Sequence, residues 1–200
     1  MPDPIEATPI VTDGDTWIRE TTPTTNYSTN NNNKIAVTSG KAVDEFRSLI
    51  HFDLSSFLAT RSHELISKVE LFIHGGPVGL GTQPTPSIFK CTQAFVASEA
   101  TWNEYSSGNS WTTAGGDYDG AYEYPITPVA ADILIDITPL VMDLLKAGET
   151  DLYLILIDDT ATTSGWTIMS LENVTVAERP DLRISYLDGG RRRKGSSVRV

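Results

Sequence analysis

The chain has 200 residues, 40% hydrophobic and 20% charged, a globular composition long enough to bury one core without cross-links. No apolar run approaches the ~18 residues of a membrane span, and Met1-Pro2-Asp3-Pro4-Ile5-Glu6 has neither the basic start nor the apolar stretch of a signal peptide. The net charge of −11 is uneven: the last ten residues carry five cations and no acid, leaving residues 1–190 at −16 (−11 less those five), an acidic body that excludes nucleic-acid binding over its general surface.

Residues 1–12 contain three prolines and read as an extended N-terminal arm. Asp13-Gly14-Asp15 is a turn signal before the strand-like Thr16-Trp17-Ile18-Arg19. Residues 21–33, with Pro23 and four consecutive asparagines, read as a polar loop pinned by Tyr27. Lys34-Ile35-Ala36-Val37-Thr38 is a short strand. From Glu45 the alternation is clear: Phe46, Ser48, Ile50, Phe52 and Leu54 share one face, and Arg47, Leu49, His51 and Asp53 the other. Residues 64–74 repeat that pattern, and Gly75-Gly76-Pro77 ends it. Residues 87–96 are a further strand, containing Cys91, the single cysteine, which excludes an internal disulfide and reads as a buried small hydrophobe. Residues 97–120 read as loop and 131–137 as strand. One helix follows, with Thr138 as N-cap, Pro139 in the first helical position and Gly148 as the stop. The continuous apolar run between Asp151 and Asp158 predicts a central strand buried on both faces. Residues 164–171 and 180–187 complete the set. Many short strands with one short helix predict an all-β fold, a single jelly-roll β-sandwich spanning residues 13–187. Residues 188–200 form a basic C-terminal tail.

Several pieces, in order, match a known pattern. They are Asp15-Thr16-Trp17, Pro23-Thr24-Thr25-Asn26-Tyr27-Ser28, Lys34-Ile35-Ala36-Val37 and Arg47-Ser48-Leu49-Ile50-His51-Phe52-Asp53-Leu54-Ser55. Further along come Ile66-Ser67-Lys68-Val69-Glu70-Leu71, Ala100-Thr101-Trp102-Asn103, the loop starting at Trp111, Ile135-Asp136-Ile137-Thr138-Pro139, and Ser170-Leu171-Glu172 followed by Arg179-Pro180-Asp181-Leu182. In this order they resemble the disaggregatase-related, DNRLRE-type module, a group classed among carbohydrate-binding modules. The resemblance implies a jelly roll, in a non-catalytic role, on secreted enzymes, surface proteins and virion proteins. Ser28 stands where that family commonly has glycine.

No catalytic motif is legible: no nucleophile elbow, no zinc-protease helix, no phosphate-cradling glycine loop. His51, His63 and His74 are scattered, and packing or surface placement accounts for them. The chain is therefore expected not to be an enzyme. The ligand-binding candidates, for sugar or for a protein partner, are the aromatics of residues 97–125: Trp102, Tyr105, Trp111, Tyr118 and Tyr122, with Tyr124 beside them. Flat rings stack on the apolar face of a sugar, and Tyr and Trp are also enriched at protein interfaces. For Trp102 the alternative is a structural plug at the end of the sandwich. Asp117 and Asp119 are the candidate ligands for a structural calcium, the only cofactor the pattern admits, against ordinary turn chemistry. Arg191, Arg192, Arg193, Lys194 and Arg199 are candidate partner contacts, and the only segment suited to a phosphate backbone.

Two functions compete. The first is a structural protein of a bacteriophage particle, a capsid decoration or tail-fibre component at the virion surface. Its partners would be copies of itself or capsid or tail proteins, and it needs no signal peptide. The second is an extracellular carbohydrate-binding module tethering to polysaccharide, its leader absent or removed. Neither involves a membrane.

Overall fold

The computed structural model describes residues 5–11, 14–29, 34–38, 44–59, 62–78, 83–158 and 165–187. In chain order these form β1 (Ile5–Val11), β2 (Gly14–Arg19), β3 (Lys34–Thr38), β4 (Phe46–Asp53), the one-turn helix α1 (Ser55–Leu58), β5 (Ile66–His74) and β6 (Ser87–Cys91). There follow β7 (Glu104–Ser106), β8 (Asn109–Ser110), β9 (Tyr118–Pro125), β10 (Asp132–Asp136), helix α2 (Thr138–Lys146), β11 (Asp151–Ile157), β12 (Gly165–Met169) and β13 (Asp181–Tyr186). Two larger antiparallel sheets have the orders β1-β13-β5-β10 and β2-β4-β11-β6-β9, and two-stranded sheets pair β12 with β3 and β7 with β8. The two larger sheets face each other as the all-β sandwich the strand pattern predicts.

Strand alternation decides what each face carries. Ile50, Phe52 and Leu54 join Leu152, Leu154 and Leu156 in the main core, where Val69, Leu71, Ile73, Leu182 and Ile184 of the other sheet meet them. Leu49, Ile155 and Ile157 face the other way and build a second apolar cluster on the outside of the five-stranded sheet. Strand β11, between β4 and β6, is thus buried on both faces, as its unbroken apolar run requires.

Helix α2 adds Leu140, Val141, Leu144 and Leu145 to the main core. Thr138 does not cap it: Thr138 is its first residue, and the Thr138 hydroxyl accepts from the Val69 N–H at 2.8 Å and donates to Asp136 at 2.6 Å. The Asp136 carboxylate instead accepts the Thr138 N–H at 3.0 Å. At the other end Gly148 (φ 80°) reverses the chain, its N–H bonding Leu145 O and that of Glu149 bonding Leu144 O, each at 3.1 Å. That pattern is a Schellman stop.

Two segments differ from their reading in the sequence. Residues 5–11, assigned to an arm, are strand β1, paired antiparallel with β13 from Ile5–Tyr186 to Val11–Asp181. Proline-rich segments are tolerated at a sheet edge, which is where β1 lies. Residues 118–120, read as the end of a loop, open strand β9, which also lies at an edge, so Tyr118, Tyr122 and Tyr124 stand on a strand. The polar loop after β2 is pinned by Tyr27, stacked on Trp17 at 3.7 Å. Ser28 is held there by its N–H and hydroxyl, which both donate to Asn26 Oδ1, at 3.1 and 2.7 Å.

Asp15 of β2 is 4% exposed, and its Oδ2 accepts the Leu171 N–H at 2.8 Å, tying β2 to the turn after β12. Burial, with Glu172 nearby, pushes its pKa from 3.8 up to about 7. The folded state therefore holds this proton more tightly than the unfolded chain. The Asp15 contribution is full below 3.8 and is lost as pH rises through about 7. Asp15→Asn keeps an acceptor for Leu171 and removes the buried charge. It is expected to be more stable than wild type at pH 8 by on the order of 2 kcal/mol, with the difference vanishing towards pH 4. Urea unfolding across that range measures it; parallel curves for the two proteins would assign the titration elsewhere.

Candidate functional site

The outer apolar cluster is covered by residues 93–117, a wrap containing the β7–β8 hairpin. Phe95, Ala100, Trp102 and Trp111 lie on Leu49, Phe89, Cys91, Ile155 and Ile157. Trp111 is 5% exposed and its Nε1–H donates to Thr101 O at 2.8 Å, while the Tyr105 ring meets it edge-on at 5.6 Å. Trp102 is 7% exposed and lies under the Arg47 guanidinium, 5.2 Å from the ring centroid. Gly115 (φ 92°) and Gly116 (φ 109°) bring the backbone flat onto this layer. A Cβ on Gly115 would fall 2.8 Å from the Trp102 ring, and one on Gly116 2.6 Å from Ile155. These tryptophans therefore secure the wrap rather than present ring faces to a ligand.

The remaining candidates separate. Tyr118 is 38% exposed and packs on Phe89 at 4.6 Å, on the same outer face. Tyr122 packs against the main core, its hydroxyl donating to Asp143 of α2 at 3.1 Å. The five aromatics thus form no common surface. Asp117 closes a turn, its carboxylate accepting the N–H groups of Thr112 and Thr113 at 2.7 and 2.8 Å; Asp119 accepts that of Ala121 at 2.9 Å. A calcium ion needs six to eight oxygens. Among the described residues no three His, Cys, Asp or Glu side chains converge to hold a metal, so Asp117 and Asp119 do not fit one. Arg191, Arg192, Arg193, Lys194 and Arg199 lie outside the described residues.

A concave site opens where a ladder ends. The β6–β11 pairing stops at Lys90–Leu154, and beyond it a cleft of about 530 Å³ lies between residues 90–94 on one side and 148–151 with Tyr153 on the other. Asp119 of β9 closes the third side. The reversal at Gly148 is what brings Glu149 and Thr150 to this rim. Tyr153 is stacked on His51 at 4.2 Å and within 6° of parallel, with Phe95 edge-on at 5.2 Å, so its ring is held in one orientation. His51 Nε2 lies 2.9 Å from Asp151 Oδ1, and Lys90 Nζ 3.4 Å from Glu149 Oε2. Cys91 forms part of the floor, and burial pushes its thiol up to about 12, so it is inert as a nucleophile. The result is a cleft whose lining combines the held Tyr153 ring with polar residues such as Thr92, Gln93 and Thr150. Such a cleft offers apolar area to a flat molecule and hydrogen bonds to its substituents.

Sequence reasoning singled out neither Tyr153 nor Gln93. Tyr153 is the one polar-tipped ring in the apolar run of β11, a weak signal, and Gln93 follows a strand with nothing to mark it.

Residues 6–186 match the model of carbohydrate-binding module family 96. The chain belongs to this family. No curated protein sequence matches it. The family 96 match runs from the second residue of β1 to the last of β13, so both edge-strand assignments above fall inside the module.

Arg47 fastens the wrap of this family 96 module to the sheet. It bonds Glu45 at 2.6 Å and Gly115 O at 3.1 Å, with the side chains of Arg47 and Glu45 only 11% and 6% exposed. Arg47→Met strands a buried carboxylate and is expected to cost about 3 kcal/mol. Adding Glu45→Gln should recover much of that loss. Denaturant unfolding of both variants checks this, and full stability in Arg47→Met would remove the pair from its fastening role.

Proposed function

We propose that this chain binds polysaccharide without acting on it chemically, and that the cleft at Tyr153 is where it does so. The observation that carries the reading is the fixed Tyr153 ring at the end of the β6–β11 ladder, set among Thr92, Gln93 and Thr150. Membership in a family of carbohydrate-binding modules supports it. A pyranose has one face of C–H groups and a rim of hydroxyls, and this site pairs an aromatic surface with short polar side chains in the same sense. Tyr118 on β9 is the cross-strand partner of Cys91 on β6, one of the residues that line the cleft. On this reading the protein works where polysaccharide is reached, outside a cell or on a particle that meets one.

The virion-structural reading, with self-association or capsid and tail partners, draws on the basic tail at 191–199, outside the described residues. The DNRLRE-type resemblance is compatible with either setting. No feature of the described surface favours the virion role, so the polysaccharide reading leads.

Affinity electrophoresis through a panel of soluble polysaccharides, followed by calorimetry on those retained, tests the function. Tyr153→Ala is expected to weaken binding by about 2 kcal/mol, roughly 30-fold. Gln93→Ala, at the rim, should weaken it by less. Thermal melts identify variants that remain folded. Retention of no polysaccharide would end the functional reading; a folded Tyr153→Ala that binds like wild type would move the site elsewhere.

A further inference from the structure

We infer that His51 is a positioning residue for the Tyr153 cleft: it backs one face of the Tyr153 ring and so turns the opposite face to the gap over Cys91, where a sugar stacks. The inference rests on the polysaccharide reading and adds which ring face is used and what holds it. Its basis is one row of residues across the outer face of the five-stranded sheet. Gly14 of β2 pairs with His51 of β4, and His51 pairs with Tyr153 of β11. Lys90–Leu154 is the last pair between β6 and β11, and one step beyond it along the two strands are Cys91 and Tyr153. The row therefore reads small, ring, ring, small.

The His51 and Tyr153 rings are 4.2 Å apart and within 6° of parallel. That separation is close to the ~4.8 Å spacing of neighbouring strands, so the two ring planes stand across the line from β4 to β11. One face of Tyr153 lies against His51, and the other is turned along the sheet towards β6. The cleft is on that side: its lining includes Tyr153 and residues 90–94, and no residue of β4. At Cys91 the side chain is short, which leaves room for a flat ligand. His51 is itself held, its side chain 14% exposed. A carboxylate can only accept, so His51 Nε2–H donates to Asp151 Oδ1, at 2.9 Å. The other Asp151 oxygen accepts the Thr150 hydroxyl at 3.2 Å, so one carboxylate ties the backing ring to a residue that lines the cleft. Phe95 of the wrap meets both rings edge-on, at 6.5 Å from His51 and 5.2 Å from Tyr153. A ring fixed in advance loses less freedom when a sugar arrives.

The test compares two variants of the whole chain. His51→Phe keeps a stacking ring without the bond to Asp151, and His51→Gln keeps a donor for Asp151 without the ring. Carbon-13 relaxation of the labelled Tyr153 ring is measured without ligand, and calorimetry uses a β-glucan hexasaccharide and a galacturonate hexasaccharide. The ring is expected to be rigid in wild type and in His51→Phe, and loosened in His51→Gln. Binding of whichever oligosaccharide the wild type takes should stay within about 2-fold in His51→Phe and fall about 5-fold in His51→Gln. Thermal melts confine the comparison to folded variants. A Tyr153 ring as rigid in His51→Gln as in wild type, or binding unchanged there, overturns the positioning role and leaves the cleft as a glycan site. Equal losses of binding in both variants overturn stacking as the means. Binding of neither oligosaccharide by the wild type removes the polysaccharide reading and the proposal with it, while the relaxation data still report whether His51 holds the ring.

Discussion

The structure depends on burying a sheet twice. Strand β11 is apolar on both sides, so the five-stranded sheet needs a partner on each face. The other sheet and α2 supply one. Residues 93–117 cover the outer face with two tryptophans, a phenylalanine and a pair of glycines that let the backbone lie close. Large rings suit such a cover because each removes 150–250 Å² from water with few torsions to freeze. The wrap is knitted in place by backbone bonds such as Gly115 N–H to Trp102 O at 2.6 Å, and by Asn26, whose amide reaches Ala97 O and Ala100 O at 2.8 and 2.7 Å.

The cleft is a by-product of where that cover stops. Beyond Lys90–Leu154 the strands no longer pair, and the chain leaving β6 goes to build the wrap while the chain entering β11 comes from the reversal after α2. Two requirements of folding, covering the outer face and terminating a helix, thereby leave a polar-rimmed hollow beside a stacked Tyr–His pair. The site is assembled from ordered strands and a capped helix end, so its geometry is set before any ligand arrives. A preformed site loses less freedom on binding than a floppy one.

Much of the architecture was legible because alternation is a local signal. Residues 46–54 assigned their own faces, the run from 152 to 157 announced a doubly buried strand, and Gly148 marked the end of α2. Edge strands β1 and β9 were harder: prolines, glycine and exposed polar residues dilute the pattern where only one neighbour pairs. The candidate site was less legible still. Trp102 and Trp111 attract notice as aromatics in a loop, yet only tertiary packing reveals that they face inward. Tyr153, Lys90 and Glu149 come together through strand register and a helix reversal, and no spacing along the chain encodes either.

Strand β1 beside β13 has a practical corollary. Ile5 and Tyr186 are cross-strand partners, about 5 Å apart at Cα. A polypeptide entering at one and departing from the other therefore crosses a single doorway. A host protein can receive the whole sandwich in a surface loop without prising that loop open. Tandem copies strung through such doorways would hang as side-by-side pendants rather than as an end-to-end rod.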